Sequence, residues 1–168
     1  VYLETRYDPA TVTAEEPDHP NTSTSSSMIG VAPAYAAGYT GAGTRIAVID
    51  TGIDTDHQSF DAGAFDYSLA QQASNADKAV SDYNLLDADQ ISEVLSQLHI
   101  SGQVSAEQLY VSTKIPFGYN YVDKDTDITH DNDRQGEHGS HVEGIAAANA
   151  YIPNGDGTYA EALSSVHA

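Results

Sequence analysis

The chain has 168 residues, enough for one ordinary domain, with 25 acidic against 6 basic side chains and a formal net charge of -19. Such a surface repels nucleic acid and anionic lipid, which both need cationic contacts. The lack of cysteine excludes a disulfide framework and thiol catalysis, and no run approaches the roughly 20 apolar residues of a membrane span.

Residues 1–27 read as an extended arm, rich in breakers and turn formers such as Glu15-Glu-Pro-Asp-His-Pro20. The chain opens on Val1 rather than Met, and loss of an upstream segment is expected. Ser27 is placed to cap a short helix through Met28, Val31, Ala32 and Tyr35, with Pro33 in its first turn. Ile46-Ala-Val-Ile49 is an apolar run without alternation, the pattern of a strand buried on both faces of a parallel sheet. Asp50-Thr-Gly52 ends it. Residues 61–114 read as an insertion. It carries an alanine-rich helix over 70–80, a second helix over 90–98 capped by Asp87 or Asp89, and a capping box at Ser105 to Gln108. Ile115 to Val122 reads as a second strand, Asp123 to Asp133 as an acidic loop, and His138 to Ala150 as a helix. Pro153 to Gly157 breaks that helix, and the tail 159–168 is weakly helical.

Two segments carry chemistry. Asp50 stands where the carboxyl end of a buried strand would hold a carboxylate rigidly, the edge at which sites gather in open α/β sheets. His138 stands at a helix start, where the helix dipole disfavours the imidazolium and keeps a base neutral. A carboxylate that orients a neutral imidazole is two thirds of an Asp/His/Ser triad. Gly139 and Gly144 are expected to let the helix approach neighbouring backbone, and His141 to be a buried structural histidine. His57, His99, His130 and His167 read as surface groups.

These segments resemble the subtilisin-like serine proteases, in the branch of the large Gram-positive cell-envelope proteinases. Asp50-Thr-Gly52 matches the family's aspartate motif, and His138-Gly-Ser-His141-Val-Glu-Gly144 its histidine motif, in the family's order. The long insertion and Ile115-Pro-Phe-Gly-Tyr-Asn-Tyr-Val-Asp123 point to the branch, while Glu143 replaces the commoner small residue. The resemblance implies an α/β, three-layer fold with a mainly parallel sheet, of which this chain supplies the first part as an N-terminal arm (1–27) and part of a peptidase domain (28–168). It implies Asp50 and His138 as the catalytic residues, with no cofactor-binding or metal-ligating residue in the chemistry. It also implies a secreted or cell-wall location and protein or peptide substrates.

No segment matches the family's serine or oxyanion-hole asparagine motifs. The expectation is a partner, a C-terminal chain of the same precursor separated by nicking, that brings both. The alternative is an inactive, protease-like adhesin or binding scaffold. A metal hydrolase built on Glu137, His138, His141 and Glu143 has neither the H-E-x-x-H pattern nor a clear third ligand. Asp123, Asp125, Asp127, Asp131 and Asp133 leave room for a structural calcium, although Ile128 and Arg134 exclude an EF-hand.

Overall fold

The computed structural model describes residues 28–129 and 137–162. The whole of the expected arm (1–27), the acidic-loop residues Asp131 and Asp133, His130, His167 and the end of the tail lie outside these residues. The chain divides into two compact units, 1–44 and 45–168.

In the first unit, α1 (Val31–Ala36) begins after Gly30, which takes a left-handed φ of 76° as N-cap. Pro33 falls in the first turn, where its missing N–H removes nothing the helix uses. The helix closes in a Schellman turn: Gly38 N–H donates to the Tyr35 carbonyl (2.9 Å) and Tyr39 N–H to the Ala34 carbonyl (3.0 Å). Gly38 supplies the positive φ, 88°, that this turn requires.

The second unit is mostly helical. After a single 3₁₀ turn (Gln58–Phe60), α2 (Ala62–Asn75) starts at Asp61, whose carboxylate accepts from Ala64 N–H at 2.7 Å. It buries Ala64, Ser68, Leu69 and Ala73 along one face. A second 3₁₀ turn (Val80–Tyr83) leads to α3 (Ala88–Leu95), capped by Asp87 through Gln90 N–H at 2.8 Å. Then comes α4 (Ala106–Leu109), with the reciprocal Ser105/Gln108 capping box. Ile91 and Leu109 are fully buried and form a core with Ile100 and Ala106, packed by Leu86, Leu95, Leu98, Phe117 and Tyr119.

The last helix is α5 (His138–Ala147). It ends when Ala148 turns to ψ 149°, and Asn149 straps that end to the foot of α2. Asn149 N–H donates to the Ser59 carbonyl (2.9 Å) and its side-chain amide to the Asp61 carbonyl (2.8 Å). An antiparallel hairpin follows, β1 (Tyr151–Pro153) and β2 (Tyr159–Glu161), with Ile152 opposite Ala160. Its aromatic face packs on α2, with Tyr67 5.1 Å from both Tyr151 and Tyr159 between ring centroids.

Several elements differ from expectation. The alanine-rich helix lies at 62–75 rather than 70–80, because Asp61 caps it early and Asp77 turns to a φ of 53° after it. Residues 159–161 form a strand rather than helix, since the Asn154 to Thr158 turn folds them back on β1. Neither 46–49 nor 115–122 is in a strand ladder among the described residues. Ile46 and Ile49 are 55% and 98% exposed, not buried. Phe117 and Tyr119 turn into the helical core, Gly118 N–H bonds the Leu109 carbonyl (2.9 Å), and Asn120 makes an isolated bridge to Asp125. A ladder needs a neighbouring strand in register, and these apolar runs meet none here.

Candidate active site

The two motif segments, 88 residues apart in sequence, meet at the start of α5. The His138 Nδ1 lies 2.7 Å from Asp50 Oδ1. An ionised carboxylate only accepts, so Nδ1 carries the proton and Nε2 keeps a free lone pair. The side chains are 37% exposed for His138 and 16% for Asp50. The imidazole is thus reachable, and the carboxylate is the less exposed of the two side chains.

Two further contacts bind the same turn of helix. Gly139 N–H donates to Thr51 Oγ1 (3.3 Å), and Thr51 Oγ1–H donates to Asp50 Oδ1 (3.3 Å). Asp54 N–H donates to Ser140 Oγ at 2.7 Å. Residues 138, 139 and 140 are therefore each tied to the aspartate segment. Thr51 N–H also donates to Asp50 Oδ1 at 2.8 Å. Burial alone would raise the Asp50 carboxyl. The hydrogen bonds from His138 and Thr51 and the His138 charge outweigh it and hold the group below the ordinary carboxylate value.

Glycine is required at two of these positions. Gly52 has a φ of 125°, and a Cβ there would stand 2.9 Å from the Ile128 carbonyl oxygen. Ile53 N–H bonds that same oxygen at 2.9 Å. A Cβ on Gly139 would overlap the Gly52 carbonyl oxygen and lie 3.1 Å from that residue's carbon and nitrogen. Gly144 corrects the sequence expectation: nothing lies within 4 Å of a Cβ there. His141 is a second correction, being exposed rather than buried. His57 and His99 are exposed.

The geometry so assembled is an imidazole hydrogen-bonded to a carboxylate on a helix start that is tied to the aspartate segment. The subtilase family model matches residues 41–163, which span both segments and everything between them. The chain belongs to the subtilase family. This membership implies the α/β subtilisin fold. The subtilase chain is also similar to the PII-type and PI-type proteinases of Lactococcus lactis subsp. cremoris and to a PII-type proteinase of Lacticaseibacillus paracasei. Each is 29% identical over 140 residues, 83% of this chain. The expected likeness to the Gram-positive proteinase branch stands with these relatives. The subtilase chain spans 6% of their length. No solved structure matches it.

The structure brings the expected pair Asp50 and His138 together, and adds Ser140 and Lys114, to which the sequence pattern assigns no role. Ser140 was visible as a hydroxyl in the first turn of the histidine helix. The Lys114 ammonium donates to the Ala147 carbonyl at the other end of α5 and lies 5.1 Å from the Phe65 ring centroid, contacts that no local pattern announces. In the acidic loop, the Asp125 and Asp127 carboxylates accept from Asp127 and Thr129 N–H. Hydrogen bonding from the Thr129 hydroxyl, then its N–H, lowers the Asp127 carboxyl. Among the described residues, no group of three or more His, Asp or Glu side chains is arranged to hold a metal, and no helix is long and apolar enough to cross a membrane.

Proposed function

We propose that this chain provides the general base and its orienting acid for a serine endopeptidase acting on proteins or peptides outside the cell. The observation that carries this reading is the 2.7 Å contact between Asp50 Oδ1 and His138 Nδ1, which leaves Nε2 as proton acceptor. A serine hydroxyl beside Nε2 would lose its proton there as it attacks the peptide carbonyl. Asp50 stabilises the imidazolium so formed, and the proton then passes to the departing amine. The serine and the oxyanion-hole asparagine would come from polypeptide other than these 168 residues. Residues 46–49 and 115–122 would enter a mainly parallel sheet together with that polypeptide.

Acid, base and nucleophile suffice for the reaction without a metal or cofactor. A structural calcium near the 123–133 loop would serve stability, not chemistry. The family membership and the proteinase relatives support an extracellular or wall-associated location.

Asp50→Asn and His138→Ala variants of the full-length protein test the reading against a fluorogenic peptide. Each should lose about 10⁴ in rate and remain folded by circular dichroism. Undiminished hydrolysis by Asp50→Asn would overturn it. A fluorophosphonate label locates the serine. A folded full-length protein that neither labels nor hydrolyses peptides would instead be a protease-like binding scaffold.

A further inference from the structure

The helix that carries His138 starts without a cap of its own. Glu137 stands at the N-cap with φ -84° and ψ 23°, outside the extended region that a capping residue takes, and its side chain makes no cap hydrogen bond. The first backbone N–H groups of a helix have no partner within it. One of them is met here from a distant segment: Gly139 N–H donates to Thr51 Oγ1, 88 positions away. The next residue reverses the direction. Ser140 Oγ accepts from Asp54 N–H at 2.7 Å, a part-buried contact across 86 positions. A serine in a helix commonly turns back to its own backbone; this one reaches out. The donor it meets is itself fixed. Ile53, just before it, is buried and bonds the Ile128 carbonyl, and the Asp54 carboxylate folds onto Asp56 N–H at 3.1 Å.

The aspartate segment thus lends a hydroxyl to the helix backbone, and the helix lends a hydroxyl to the backbone of the aspartate segment. One such link leaves a helix free to swivel about it; two links set its rotation. His138 lies two residues before Ser140, within one turn of about 3.6 residues, so a swivel carries the imidazole with it. The Asp50 contact fixes Nδ1 to one oxygen but leaves the direction of Nε2 to the seating of the helix.

We propose that Ser140 is a positioning residue of the site: its hydroxyl, paired with that of Thr51, sets the rotation of α5 and so aims the His138 imidazole. Ser140 acts through Asp54 and touches no reacting atom. Without the hydroxyl, Asp54 N–H loses its acceptor and the helix is held at this turn by Thr51 and the imidazole alone.

The consequence for rate rests on the proposed protease reading; the geometry does not. Ser140→Ala, Ser140→Val and Ser140→Thr are made in the full-length protein, valine and threonine being close in shape and different in the hydroxyl. A misplacement of about 1 Å costs about 10²-fold in rate, so the alanine and valine variants should lower kcat by about 10- to 100-fold. KM should change less than about threefold, and Ser140→Thr should restore kcat to within about threefold of the parent. Equal kcat in Ser140→Thr and Ser140→Val overturns the proposal, because the hydroxyl then plays no part. A loss confined to KM overturns it too. Hydrogen exchange of the 51–56 segment, followed by mass spectrometry, reads the geometry without turnover. Exchange there should be faster by about tenfold or more in the alanine and valine variants than in the parent and Ser140→Thr. Unchanged exchange in all four removes Ser140 as the link. If the alanine and valine variants do not fold, the Asp54 amide of the unaltered protein decides: it should exchange about tenfold or more below an open amide, and an unprotected one overturns the proposal. A full-length protein without peptidase activity defeats the protease reading and leaves the exchange result to judge Ser140.

Discussion

Two glycines of one helix should respond to the same substitution in opposite ways. At Gly139 an added methyl would enter the Gly52 carbonyl oxygen, with the carbon and nitrogen of that residue at 3.1 Å. The obstacle is backbone, and Gly52 cannot retreat freely because a Cβ-sized space beside it is already filled by the Ile128 and Thr129 carbonyls. Overpacking of this kind costs about 1–3 kcal/mol. At Gly144 nothing lies within 4 Å, so alanine should gain up to about 1 kcal/mol from helix propensity. The two variants should therefore differ by about 1–4 kcal/mol, read as opposite displacements of the urea midpoint with unchanged slope. Gly139→Ala also moves the segment holding Asp50, and a misplacement of about 1 Å costs about 10²-fold in rate. A Gly139→Ala protein as stable and as active as its parent would refute the close approach of α5 to the aspartate segment.

Leu109→Ala removes a fully buried side chain from the α3–α4 core and should cost about 2–5 kcal/mol in urea unfolding. Asp87→Ala uncaps α3 and should cost about 1 kcal/mol, with Asp87→Asn nearly neutral. The Asp50 carboxyl is held below its ordinary value of 3.8. Its contribution to stability is therefore complete above that pH and lost as pH falls through the lowered value, a loss that Asp50→Asn should not show. Glu143 has the opposite sign: its carboxyl, raised by burial, favours the folded state only while protonated, below 4.5 and up toward its raised value. Glu143→Gln should gain in relative stability as pH rises from 4 to 7, measured by paired denaturation curves.

What could be recognised in the sequence was local. Asp87, Ser105 and Gln108 cap helices within three residues of themselves, and the aspartate and histidine motifs each announce their chemistry within a few positions. Asp61 was missed as a cap because no apolar stripe begins directly after it. Strand β2 was missed because three residues are too few to display alternation, and the turn that places it depends on Asp156 accepting from Thr158. The apolar runs at 46–49 and 115–122 carry strand composition, but a ladder depends on partners that composition does not specify. The Lys114 contact with α5 spans 33 positions, and only folding brings it to that helix.

The segment between the two motifs leaves and rejoins the site at fastened points. Asp61 is held by Asn149 at its start, and Ile128 by Ile53 at its end. A loop pinned at its base can change length with little effect on what lies below, since each doubling adds only about 0.6 kcal/mol of closure entropy. The α3 and α4 helices between those pins, with a core of their own, can thus diverge in size and surface while Asp50 and His138 keep their spacing.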